Sequence, residues 1–288
     1  MSTSALSSRA VRARRSALLL GSGLLVVGLF VLVGIFAPWL SPHDPTQQNI
    51  GNTLMPPFWE EGGSLEHPLG TASLGQDVLS GIIHGARVSL LVAVCAVFLS
   101  GAFGVTVGLL AGFLGGWIDS LLMRLADMQL SIPFILLAIA LIGALGPSMS
   151  NVIFVIAITN WVSYARVARA ETRSLRERDF VKAARISGTG LARMLAVHIF
   201  PNVLNSVVVL ATLDIGKVII FESGLSFLGL GVQPPTPSWG AMLADGRKYV
   251  NIAWWLSMFP GLAIMAVALG VNFLGDWVRE RLDPKFLE

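Results

Sequence analysis

Long stretches without a charged side chain divide this sequence. No Asp, Glu, Lys or Arg occurs from Ser16 to Pro42, from Val88 to Ile118, from Met128 to Ala165, or from Tyr249 to Gly275. About 20 apolar residues cross the hydrocarbon of a bilayer at a rise of about 1.5 Å per residue, so each run is long enough for a membrane helix. The third run is too long for one crossing and is interrupted at "GPSMSN" (Gly146–Asn151), which divides it in two. A further segment, Val203–Phe221, is apolar except for Asp214 and Lys217. The pattern predicts six transmembrane helices, at roughly 17–38, 88–112, 118–145, 152–168, 203–223 and 252–275.

Composition agrees with an all-α, polytopic membrane protein. Of 288 residues, 54% are hydrophobic and only 13% charged. A soluble domain carries about 25% charged residues, so lipid must cover much of this surface. The net charge of +3 raises the question of nucleic acid. The basic residues, however, sit in particular loops rather than along one face, so no nucleic-acid partner is expected. Cys95 is the single cysteine and lies inside an apolar run, which excludes an intrachain disulfide and assigns it to packing.

Charge also orients the chain. Arg9, Arg12, Arg14 and Arg15 precede the first helix; Arg166, Arg169, Arg173, Arg176, Arg178, Lys182, Arg185 and Arg193 follow the fourth; Arg279, Arg281 and Lys285 follow the sixth. The opposite side holds Arg87, Arg247 and Lys248, with acids at Asp44, Glu60, Glu61, Glu66 and Asp77. The positive-inside rule places both termini and the basic loop in the cytoplasm. The N-terminal apolar run is longer than a cleavable signal core and no A-x-A site follows it, so it is expected to be retained as the first helix.

Helix two carries Gly104, Gly108 and Gly112 on one face, the small-residue stripe that lets helices approach closely in lipid. Packing within the chain is the expected use. The phosphate-loop signature G-x-x-x-x-G-K-[ST] is absent, as are HExxH and GxSxG, so the chain is expected to hold no cofactor and no catalytic residue of its own. His43, His67, His84 and His198 lack ligand spacing, and surface or headgroup positions are expected for them, with no metal.

The basic loop remains. Phe180, Val181, Ala184, Leu191, Met194 and Leu195 recur at helical spacing and form one apolar face. Gly188 and Gly190 favour a turn between two short helices, and Pro201 suits the first turn of the helix that enters span five. This segment resembles the EAA loop of ATP-binding-cassette importer permeases, E-A-A-x3-G-x9-I-x-L-P. Here it reads Lys182-Ala183-Ala184, Gly188, then His198-Ile199-Phe200-Pro201, with Lys182, His198 and Phe200 departing from the pattern. "FAPWLSPHDP" (36–45), "LMPPFWEEGGSLEHPLGT" (54–71), "LSFLGLGVQPPTPSWGAML" (225–243), "FPGLAI" (259–264) and "LDPK" (282–285) are similar to the C-type permease subunit of dipeptide, oligopeptide and nickel importers. The family's acid and arginine in the 71–77 stretch are here Ala72 and Gln76.

The resemblance implies a type I importer permease in a bacterial inner or plasma membrane. Its parts would be a cytoplasmic tail (1–16), a six-helix domain (17–276) and a second cytoplasmic tail (277–288). Within the domain, 39–87 would be extracytoplasmic and 169–202 would be the coupling loop. Phe180, Val181, Lys182, Ala183, Ala184, Arg185, Gly188 and Pro201 would meet an ATPase subunit. The implied partners are a homologous B-type permease, two ATP-binding subunits that carry ATP and Mg, an extracytoplasmic solute-binding protein, and membrane lipid. Substrate would be a dipeptide or oligopeptide, with nickel, glutathione or oligosaccharide as alternatives in the same role. Asp214 and Lys217 share a helical face and, with Glu222, either fix helix packing or line the substrate pathway. An ion-coupled secondary transporter would also use such charges, but it leaves the loop unexplained.

Overall fold

Pro133 decides the course of the third predicted helix. A computed structural model describes residues 20–282, and in it the chain is helical up to Leu130 and again from Phe134. Pro133 has no N–H to give the carbonyl of Gln129 and disfavours helical backbone at Ile132. The two arms meet at 89°. Sequence reading placed one helix over roughly 118–145; it is instead two helices with a sharp bend between them.

In order, the helices are α1 (Leu20–Ile35), the single turn α2 (Ala37–Leu40), α3 (Val78–Leu114), α4 (Gly116–Leu130), α5 (Phe134–Leu145), α6 (Met149–Arg176) and α7 (Asp179–Ile186). There follow α8 (Leu191–Arg193), α9 (Phe200–Phe227), α10 (Trp239–Gly246) and α11 (Trp255–Leu282). A π-helical turn, Met194–Ile199, joins α8 to α9 into one helix. Among the described residues, four helices are long and apolar enough to cross a membrane: α3, α6, the continuous α8–α9 and α11. The bent pair α4–α5 reaches that length and apolarity only when its two arms are taken together, and α1 is a shorter apolar helix. The expected tail 1–16 and the second half of 277–288 lie outside the described residues, while 277–282 continue α11 as helix.

Helix α3 starts at Val78 rather than near residue 88. Asp77 caps it by accepting from the Ser80 N–H at 2.8 Å, so helix continues through His84 and Arg87 beyond the uncharged run. Its 37 residues make a rod of about 55 Å, longer than the roughly 30 Å of hydrocarbon. At the other side of the bundle, α6 likewise carries Arg169, Arg173 and Arg176 out of the apolar zone as helix.

The glycine stripe sets the main packing. A Cβ at Gly104 would lie 2.3 Å from the Trp161 carbonyl oxygen, one at Gly108 2.4 Å from that of Ala165, and one at Gly112 2.7 Å from that of Arg169. Only hydrogen at these three positions lets α3 lie backbone-to-backbone on α6, the intramolecular role expected for the stripe. Val92, Ala96, Val155, Ile156, Val218 and Val267 fill the core where α3, α6, α9 and α11 meet. Facing outward, Phe98, Phe103, Leu136, Phe154 and Met265 are half or more exposed, as lipid contact requires.

Candidate functional site

The basic loop is built as a knob. Val181 is fully buried and fastens α7 to the bundle, with partly buried Ala184 beside it. Phe180, Lys182, Ala183, Arg185 and Ile186 are exposed. Ile186, at 87% exposure, is the most exposed large apolar side chain among the described residues. The helix ends in a Schellman motif: Gly188 N–H donates to the Arg185 carbonyl at 3.0 Å and Thr189 N–H to that of Ala184 at 3.1 Å. Gly188 has φ +77° and open space around its Cα. It is required by the turn, and the space is available to a partner.

Beyond the turn, Met194 is buried, while Leu191 is 42% exposed, as Phe180 and Ile186 are before it. Pro201 lies in the first turn of α9, as expected. The second short helix, however, is no separate element. Pro201 offers no donor to the Val197 carbonyl, and the π turn before it carries the helix through without a break. Arg185 lies over the Phe113 ring at 5.2 Å and Arg176 donates to the Phe113 carbonyl at 3.1 Å, so the loop grips the C-terminal end of α3. Arg169 holds Asp119 with two N–H bonds and Arg166 reaches Asp127 at 2.6 Å, which ties α4 to α6.

Within the bundle, Asp214 and Lys217 pair at 3.6 Å. Asn160 of α6, which sequence reading missed, completes the cluster: its Nδ2 donates to Asp214 Oδ2 at 2.5 Å and its Oδ1 accepts from Lys217 Nζ at 3.1 Å. Lys217 also lies 5.4 Å above the Phe221 ring, which stacks on Phe134 at 4.1 Å just past the bend. Glu222 is placed differently. It is fully buried, and its carboxylate accepts from Ser226 at 2.8 Å, Ser89 at 3.1 Å and Ser223 at 3.5 Å. Those serines share no spacing that would have flagged them.

On the far side, residues 41–77 fold back onto the segment after α9. Trp254 donates to Glu60 at 2.9 Å, Trp255 to the Thr71 carbonyl at 3.2 Å, and Ser73 to Asp245 at 2.6 Å. Between them opens a cleft of about 600 Å³ lined by Thr46, Ala72, Gln76, Gln233, Pro235 and Asp245 among others. Thr46, through its hydroxyl and N–H, holds the exposed Asp44 carboxyl below its ordinary range. The expectation of scattered surface histidines is corrected: His67 is buried, and its ring lies 4.7 Å from that of His43.

This bundle of apolar helices, with its bent helix pair and projecting α7 knob, falls in the class of membrane-spanning transport subunits, as the comparisons with known proteins show. The same fold occurs in a solved structure of the MetNI methionine ABC transporter in inward-facing conformations. The TM-score is 0.57 at 17% identity, over 70% of this chain and 96% of that one. Residues 104–288 match the family described as binding-protein-dependent transport system inner membrane component, and residues 12–57 match the N-terminal TM domain of oligopeptide transport permease C. The chain belongs to this family of inner-membrane, multi-pass ABC importer permeases. It is 45% identical to the di/tripeptide transport system permease protein DppC of Pseudomonas aeruginosa, over 91% of this chain and 87% of that protein. Identity is 43% to the dipeptide transport system permease protein DppC of Escherichia coli, over 91% and 88%. A glutathione transport system permease protein, GsiD of Escherichia coli, is 42% identical over 95% and 88%.

Proposed function

We propose that this chain is the C-type permease of a dipeptide or oligopeptide importer, moving substrate by alternating access. ATP and Mg are held by two partner ATPase subunits; a homologous B-type permease completes the pathway. Both termini and α7 lie in the cytoplasm, and a solute-binding protein docks over the extracytoplasmic cleft. The observation that carries the reading is the α7 knob. Phe180, Ile186 and Leu191 are exposed apolar side chains on either side of a glycine turn with free space, and Val181 roots α7 in the bundle. Exposed apolar side chains grouped in one short segment suit a protein contact, and the family's relatives transport with separate energy-supplying chains. Asp214 and Lys217 line the pathway in this reading, with Glu222 set behind them in the α3–α9 contact.

The test is reconstitution of this chain with the permease, ATPase and binding-protein chains encoded beside it. Uptake of a labelled dipeptide that requires all of them and ATP supports the reading. Uptake by this chain alone, driven by a proton gradient, refutes it. Competition with glutathione distinguishes the peptide class from the second substrate that a 42% identical relative suggests.

A further inference from the structure

Two loop segments bring His43, Glu66 and His67 together on the extracytoplasmic side. One ring nitrogen from each histidine and a carboxylate oxygen of Glu66 all lie within 4.8 Å of one another. Donors sharing one zinc at about 2.1 Å stand roughly 3.4 Å apart in a tetrahedron, so side-chain movements of up to about 1.4 Å would close the set.

Behind the cluster stands a built support. His67 is 6% exposed, and its Nδ1 lies 3.0 Å from Asp77 Oδ1. The other oxygen of Asp77 accepts from the Ser80 N–H at 2.8 Å and the Ser80 hydroxyl at 2.7 Å, so the carboxylate is locked at the start of α3. With Nδ1–H given to Asp77, a neutral His67 carries its lone pair on Nε2, the arrangement that orients metal-binding histidines. The His43 backbone is pinned by its N–H to Ser80 Oγ at 3.1 Å. Its Nδ1 is buried, has no hydrogen-bond partner among the described residues, and stands 3.9 Å from Asp77 Oδ2. Glu66 is exposed, its N–H held by Ser64 Oγ at 3.1 Å, so its carboxylate can close over the histidines from solvent. His43 also lines an open cleft with Asp44 and His84, which gives ions access.

We propose that His43, Glu66 and His67 bind a divalent cation of the zinc type, with water as a fourth ligand and Asp77 bracing His67. Two imidazoles and one carboxylate suit Zn²⁺, Ni²⁺ or Cu²⁺; Mg²⁺ and Ca²⁺ require oxygen donors. The bound ion ties the chain after α2 and the turn at residues 64–67 to the cap of α3, and so stiffens the extracytoplasmic face. The site is independent of the identity of the transported substrate.

The assembled transporter, bearing no polyhistidine tag and stripped with chelator, is titrated with ZnCl₂ by calorimetry. Because His67 also supports Asp77, the diagnostic variants are His43→Gln and Glu66→Gln, with His84→Gln as control. The expected result is one site per copy of this chain, weakened about tenfold or more by either diagnostic variant and unchanged by the control. X-ray absorption at the zinc edge should show two imidazoles in the first shell. Absence of binding up to about 100 µM Zn²⁺ overturns the proposal, as does binding that both diagnostic variants leave intact.

Discussion

Asp214 and Lys217 lie 3.6 Å apart in unlike surroundings: the aspartate side chain is 6% exposed and the lysine 45%. The buried member depends on Asn160 as much as on the lysine. Losing a hydrogen bond to a charged group costs about 1.5–3 kcal/mol. Asp214→Asn should therefore lower the melting temperature of the detergent-solubilised chain more than Lys217→Gln does. If the pair serves only packing, the double Asn/Gln variant restores uptake lost in the single ones. If the charges meet substrate, the double variant stays inactive while stability recovers.

Gly188 adopts a backbone conformation that costs an ordinary residue about 1–2 kcal/mol, and asparagine less. Nothing within the chain crowds it. Gly188→Asn should then keep both abundance and uptake, whereas Gly188→Trp should keep abundance and lose ATP-driven uptake. Thermal stability and uptake, measured together in vesicles, check this. Ala183 is the better second probe of docking, because Ala184 is partly buried against the core and a bulky residue there would disturb the fold itself.

Gly108→Ala puts a methyl 2.4 Å from the Ala165 carbonyl oxygen and 2.7 Å from the Ala168 Cβ. Overpacking of this kind costs about 1–3 kcal/mol, so the yield of monodisperse protein should fall steeply. Gly143→Ala, with nothing within 4 Å, should be neutral or stabilise α5 slightly. Size-exclusion profiles after heating would compare them.

Arg169 and Asp119 form a two-bond pair that is only part-exposed, at 29% and 13%. Asp119→Asn should loosen α4 from α6 by about 1–2 kcal/mol. The charge-swapped pair Asp119→Arg with Arg169→Asp should regain part of that. Protease sensitivity at the α3–α4 junction provides the readout.

Sequence periodicity disclosed what lipid enforces. The uncharged runs located five of the six apolar segments within a helix turn or two at one end, because burial of charge in hydrocarbon is costly. The glycine stripe was legible for the same reason, and so were the turn at Gly188 and the pairing of Asp214 with Lys217. The bend at Pro133 was not, since the apolar run continues through it and hydropathy is blind to a missing N–H. The cap at Asp77 lay outside the uncharged run and so extended α3 unseen. Asn160 and Ser89 answer charges on another helix, and His43 meets His67 only because residues 41–77 fold back on themselves. Such contacts are set by tertiary packing and leave no periodic trace.

Helix α3 has a consequence as a mechanical part. Its C-terminal end is gripped at Phe113 by Arg176 and Arg185, and its opposite end carries the Asp77 cap. Between them, α6 is seated so closely on Gly104, Gly108 and Gly112 that neither helix can slide along the other without collision. Helix α3 spans about 55 Å between these two ends. A tilt of about 5° around the Phe113 end carries the Asp77 end about 5 Å sideways, so a small rotation at the α7 knob would become a large displacement where residues 41–77 meet the start of α3.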